Sequence, residues 1–160
     1  MSGTAPPDTA NGYLLAHASL MAESYRRWTG RDLVDPQVPA GDVGHWLYVA
    51  PFVLLSHGTG DEPLFTYANR TALLLFELTW AELVILPSRR SAEPVEQEER
   101  SRLLAEVTAH GFIDDYAGIR VSRSGRRFRI EAATVWNLVD ASGTYRGQAA
   151  TFSHWHEVEA

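Results

Sequence analysis

Apolar and polar positions along the chain change period several times, and each change marks an expected element. Over 12–28, Tyr13, Leu14, His17, Leu20, Met21, Ser24, Tyr25 and Trp28 recur at helical spacing, and Thr29-Gly30 closes the run. Residues 31–50 carry Pro36, Pro39, Gly41 and Gly44 and read as a long connection, with His45-Trp46 as a packing anchor. Two short apolar runs, 52–57 and 64–67, separated by a turn at 58–63, read as a strand pair. Asn69 is placed to cap a short helix reaching Leu78. Thr79 and Glu82 have the spacing of a capping box that opens a second helix, and Pro87 stops it. After a polar turn at 87–93, residues 94–110 form a longer helix whose buried face is Leu103, Leu104 and Val107, with Gly111 as its stop.

The remainder, 111–155, reads as three consecutive antiparallel strands divided at Ser124-Gly125 and at 140–143. A two-residue turn at Ser124-Gly125 would face Val121 with Phe128 and Ile119 with Ile130. One surface would then hold Ile119, Val121, Phe128, Ile130, Ala132, Trp136 and Leu138, with Asp115 opposite Thr134. A three-residue loop would slip the pairing by one and turn Tyr116 and Asp114 inward. The apolar count favours the first register, and either one directs a carboxylate from Asp114-Asp115 toward the core, where it needs a partner.

Composition narrows the chemistry. The chain has 160 residues, enough for one domain with a core of its own, and it contains no cysteine. All 14 basic residues are arginines. Thiolate nucleophiles, Cys-based metal sites, a Schiff-base lysine and a phosphate-loop lysine are therefore excluded. A formal net charge of −6 argues against nonspecific nucleic-acid or membrane-surface binding. No apolar run reaches the ~20 residues of a bilayer span, and no secretory signal opens the chain, so a cytoplasmic location is expected. Residues 1–11 read as a mobile tail, 12–50 as a helix plus connection, and 51–156 as the main domain.

Two strands, a helical middle and a three-stranded meander is the order of a PAS-type domain. Phe65-Thr66-Tyr67-Ala68-Asn69-Arg70-Thr71-Ala72-Leu73 and Trp80-Ala81-Glu82-Leu83 look like PAS helix entries. More specifically, the chain resembles the MEKHLA family, a PAS-like group that occurs as small bacterial proteins and at the C-terminus of plant homeodomain–leucine zipper factors. The resemblance rests on Arg27-Trp28-Thr29-Gly30, Pro51-Phe52 with Ser56-His57-Gly58, Pro87-Ser88-Arg89 with Ser91-Ala92-Glu93-Pro94, Gly111-Phe112-Ile113, Gly118-Ile119-Arg120, and Gly147-Gln148-Ala149-Ala150-Thr151-Phe152. It covers about 13–156, and Ser24-Tyr25 departs from the Ser-His expected before Arg27. The implied fold is α+β and PAS-like: a five-stranded antiparallel sheet with helices on one side and a flanking N-terminal helix.

A PAS-like sheet implies a cavity under the middle helices. The residues expected near it are His57, Phe76, Asp115, Tyr116, Thr134, Trp136, Gln148 and Thr151, and small Gly147, Ala149 and Ala150 are expected to leave room. The implied function is a small-molecule sensor or ligand carrier. It would bind a small organic ligand of unknown identity, with no assigned cofactor and no nucleic acid or membrane partner. Its output would pass through a partner or a homodimer formed by the aromatic N-terminal helix. The alternative is a stand-alone enzyme using Asp115 or Asp114 with His57 or Tyr116 as acid and base; no catalytic motif supports it. A third reading is an interaction module with a filled core. His154 and His156 fall short of the ligands a structural zinc requires, and Arg120, Arg123, Arg126, Arg127 and Arg129 read as a solvated basic hairpin.

Overall fold

The computed structural model describes residues 5–159, excluding the side chains of 94 and 95. The elements are α1 (Leu15–Thr29), α2 (Val43–Tyr48), β1 (Val53–His57), β2 (Phe65–Ala68), α3 (Arg70–Phe76), α4 (Trp80–Leu83), α5 (Pro94–His110), β3 (Phe112–Val121), β4 (Arg127–Val139), β5 (Tyr145–Phe152) and β6 (His154–Glu157). The antiparallel sheet runs β2-β1-β5-β4-β3, with β6 on β4. β6 continues the line of β5 beyond Ser153. It pairs with Phe128–Glu131 while β5 pairs with the later part of β4. The PAS-like α+β architecture is the one the element order implied.

Local chemistry accounts for the helical middle. The Asn69 side chain accepts from the N–H of Ala72 and of Leu54 and donates to the carbonyls of Leu47 and Phe52. It therefore caps α3 and fastens it to β1 with all its polar capacity used. Thr79 and Glu82 form the reciprocal capping box of α4. α5 spans the expected residues and ends at Gly111.

The N-terminal stripe finds its partner within the chain. Ala18, Met21, Ser24 and Tyr25 of α1 are buried, and α1 lies across β4. Trp136 Nε1 donates to the Met21 carbonyl at 3.2 Å, Tyr25 meets the Trp136 ring edge to face, and Trp28 Nε1 donates to the Asn137 carbonyl at 3.0 Å. The domain's own sheet thus covers Ala18, Met21, Ser24 and Tyr25, part of the surface that the homodimer expectation draws on. Tyr13 and Leu14 fall outside the helix because both have left-handed backbones, φ 57° and 55°. Within the tail expected over 1–11, residues 1–4 lie outside the described residues, and Thr9–Asn11 form a 3-10 turn capped by Asp8. The connection 31–50 contains α2, a helix that Gly44 hides from the sequence pattern. A Cβ at Gly44 would lie 2.2 Å from the Gly12 carbonyl, so the glycine is required for close packing rather than for a turn.

The favoured hairpin register is also corrected. Val121 pairs with Arg127, Arg120 with Phe128 and Gly118 with Ile130, closed by a three-residue loop in which Ser122 N–H donates to Arg126. Two bulges then break the alternation. Asp115 (φ 58°) and Ala132 (φ 54°) are both left-handed, and the β3–β4 register shifts on either side of Tyr116. Beyond Ala132 the parity of β4 reverses. Phe128 and Ile130 share the helix-covered face with Ala133 and Val135, while Thr134, Trp136 and Leu138 turn toward the α1 side. Ala132 is exposed, as are Asp114 and Asp115.

Candidate functional site

Between the sheet and α3, α5 and the turn at 88–91 lies a cavity with about 60 Å³ open to the centre of a water-sized sphere. β1 supplies His57, the turn Ser91, α3 Phe76, and α5 Arg100, Leu103 and Leu104. β3 supplies Tyr116 and Arg120, β4 Ile130, Ala133 and Val135, and β5 Gln148, Ala150 and Phe152. Of the expected residues, His57, Phe76, Tyr116 and Gln148 are brought together here.

Asp115, Thr134, Trp136 and Thr151 are not, and for the first three the bulges explain why. Trp136 is buried among α1 side chains. Thr134 pairs with Thr151 across β4 and β5 on that same side. Thr134 Oγ1 donates to Asp114 Oδ1 at 2.7 Å, and Thr151 Oγ1 donates to the Val53 carbonyl. Asp115 lines a shallow groove between α5 and β3. Asp114 carries the ion pair expected of a carboxylate in this strand: Arg31 Nη1 lies 2.9 Å away and holds the acid below the usual carboxylate range. Gly147 leaves no room in the cavity either. Its φ is 127° and an added Cβ would lie 2.1 Å from the His57 carbonyl, so it allows β1 to approach β5.

His57 is held at both ring nitrogens. Gln148 Nε2 faces three acceptors, the Leu104 carbonyl at 3.2 Å, Thr108 Oγ1 at 3.0 Å and Asn137 Oδ1 at 3.1 Å, which fixes its amide orientation. Its Oε1 is then the acceptor for His57 Nε2–H at 3.2 Å. Nδ1 is left unprotonated and accepts from the Ser88 hydroxyl at 2.7 Å, while Ser88 Oγ accepts from Arg100 Nη2 at 2.8 Å. Burial and the neighbouring Arg100 charge lower the His57 pKa to about 4, so the ring is neutral near pH 7. Burial, followed by the positive charge of Arg120, lowers the Arg100 pKa to about 10. Tyr116 Oη donates to Glu99 Oε1 at 3.1 Å and accepts from Arg120 Nη2 at 3.3 Å, and burial raises its pKa. A Cβ at Gly118 would lie 2.4 Å from Tyr116 Oη, so that glycine makes space for the phenol.

Both His57 ring nitrogens are hydrogen-bonded and Asp115 lies in the outer groove, which Asp114 and Tyr116 also line, so His57 is not brought together with an Asp114-Asp115 carboxylate as an acid–base pair. Several polar residues of the site are not expected from the sequence, among them Ser88, Arg120 and Arg100. Ser88 sits in the Pro87-Ser88-Arg89 motif of the family resemblance. Arg120 was grouped with a solvated hairpin, yet Arg123, Arg126, Arg127 and Arg129 all form surface ion pairs while Arg120 is 7% exposed. Arg100 had a readable signal: it stands three, four and seven positions before Leu103, Leu104 and Val107, on the same helical face.

The family model described as the MEKHLA domain matches residues 15–157. The chain belongs to the MEKHLA family. Two relatives are the homeobox-leucine zipper proteins ATHB-9 and ATHB-14 of Arabidopsis thaliana. Each is 29% identical, over 143 and 145 residues respectively, and each alignment covers 86% of this chain. This MEKHLA domain spans only 17% of their length. Homeodomains read DNA, so the expectation of a domain unconnected with nucleic acid is corrected: these relatives place it within proteins that carry a DNA-reading unit. Among solved structures, a PAS domain from Colwellia psychrerythraea is similar at TM-score 0.57 and 11% identity, covering 71% of this chain and 92% of that one. A PAS domain of a LuxR-family transcriptional regulator from Burkholderia thailandensis, in complex with ethanol, is similar at TM-score 0.52 and 19% identity, covering 79% and 100%. Among the described residues, no helix is long and apolar enough to cross a membrane.

Proposed function

We propose that this MEKHLA domain is a sensory module that holds a small organic molecule between its sheet and α5. The observation that carries the reading is the cavity itself, in which apolar walls surround a converging set of polar groups, His57, Arg100, Tyr116, Arg120 and Gln148. Its 60 Å³ is well below the ~300–1,000 Å³ of drug-sized sites, which favours a ligand of a few heavy atoms over a flavin-sized group. The ethanol complex of a PAS domain with this fold is a precedent for a small occupant. The relatives' homeobox names favour a regulatory output over metabolic turnover.

Native against denaturing mass spectrometry, paired with Ala133→Leu, tests the reading. Ala133 is fully buried against the cavity, and a leucine there fills the space. The expected result is a small-molecule mass excess, or a rise in Tm with small alcohols or acids, that the variant lacks. If the wild type shows neither and Ala133→Leu simply raises Tm, the cavity is a dry void and the filled-core interaction module takes its place.

A further inference from the structure

We propose that the occupant of this cavity is a small carboxylate, gripped between the Arg100 and Arg120 guanidinium groups. The inference rests on the ligand-binding reading above and specifies its chemistry. Arg100 and Arg120 are 9% and 7% exposed and both line the cavity, one from α5 and the other from β3. Among the described residues neither forms an ion pair, whereas nine other arginines do. Among the described residues, no Asp or Glu lines the cavity. Glu99 is reached only through Tyr116 Oη and lines the outer α5–β3 groove instead.

Burying one guanidinium without a counter-ion is costly, and burying two that repel one another is costlier. Their protein partners leave much of the donor capacity unused. A guanidinium offers five N–H donors. Arg100 spends one bond on Ser88 Oγ, and Arg120 donates to the Ile119 carbonyl and Tyr116 Oη and lies over the Tyr116 ring, 5.6 Å from its centroid. The Ser88–His57–Gln148 chain cannot supply the missing charge, because His57 is neutral and every member is already bonded. A carboxylate brings one negative charge and acceptors for both forks.

Size and walls select the rest of the molecule. The space admits about four water-sized groups at ~15 Å³ each, and Phe76, Ile130 and Val135 present apolar surface to it. That suits a short monocarboxylic acid better than a phosphate dianion, whose second charge costs more to desolvate. A cleft beside the 58–63 turn adjoins the cavity. His57, Arg100, Leu104 and Gln148 line both spaces, so Arg100 stands at the junction.

The probes are acetate, butyrate and hexanoate against ethanol, butanol and hexanol, titrated into the full chain at chloride-matched ionic strength and followed by calorimetry and Tm. At least one acid is expected to bind about tenfold or more tightly than its alcohol, as charge-assisted hydrogen bonds require. Arg100→Gln and Arg120→Gln are each expected to erase that preference, bringing acid and alcohol of equal length to similar affinity. Alcohols binding as well as acids, or a preference that survives both variants, would overturn the carboxylate assignment and leave cavity binding standing. No response to any acid or alcohol overturns the carboxylate assignment and, with no mass excess, the ligand-binding reading as well. If a variant does not fold, the wild-type comparison of acid with alcohol decides.

Discussion

Ser88 Oγ lies 2.7 Å from His57 Nδ1, although 31 positions separate them in the chain. The same oxygen takes a bond from Arg100, so one hydroxyl ties β1 to α5 through the turn that follows α4. This relationship fixes the His57 ring and positions the Arg100 cation at the cavity.

Ser88→Ala is expected to cost about 1–3 kcal/mol, because it leaves a buried imidazole nitrogen and a buried guanidinium N–H unpaired at once. Urea unfolding measures the loss, and a midpoint shift within error would show that water replaces the hydroxyl.

Stability is expected to fall as the medium is acidified from about pH 6.5 toward pH 4. His57 is buried and His17 half-buried, and desolvation lowers both pKa values from 6.5 to about 4; His17 Nε2 is bonded to Ser56 Oγ. As pH drops, the unfolded chain binds these protons first, so the stability present above the unfolded pKa is lost on the way down to the folded one. Between pH 7 and 5 the loss is on the order of 2 kcal/mol per histidine. Urea midpoints across that range, in wild type and in His57→Gln and His17→Gln, should show a shallower slope in each variant; equal slopes would refute the assignment.

Gly147→Ala is expected to be among the most damaging single-methyl additions in the chain. The new Cβ meets the His57 carbonyl at 2.1 Å and the backbone sits at φ 127°, so β1 and β5 must separate. The loss should exceed about 3 kcal/mol, well beyond the usual range for an overpacked methyl, and thermal unfolding would show it.

Trp136→Phe and Asp115→Asn separate the cavity from its surroundings. Trp136→Phe loses the indole bond to Met21 and part of the contact with Tyr25, for about 1–3 kcal/mol, yet ligand affinity should stay unchanged because the ring faces α1. Asp115→Asn, in the outer groove, should alter neither stability nor binding by a measurable amount. Calorimetric titration of both variants is the check; weakened binding in either would return that residue to the site.

Much of the helical middle was legible from sequence because caps and stops are local. Asn69, Thr79 with Glu82, Pro94 and Gly111 act within one turn of their own helices, so identity and spacing alone place the elements. Composition likewise established the absence of thiol and lysine chemistry, and the interrupted motifs from Arg27 to Phe152 pointed to the family. Half of the expected residues reach the cavity for a related reason: His57, Phe76, Tyr116 and Gln148 occupy positions fixed by strand and helix identity.

Only the tertiary structure decided the others. A strand pattern has no memory of its partner, and one bulged residue exchanges the two faces for everything beyond it. Left-handed backbones at Asp115 and Ala132 moved Trp136 and Thr134 to the α1 side and exposed Asp115, while the three-residue hairpin loop set Arg120 opposite Phe128 and so on the cavity face. The burial of Arg100 and Arg120 was likewise unreadable from charge pattern. Whether an arginine meets solvent, an acid or another arginine depends on which distant surfaces close over it, and here that closure joins α5 to β3.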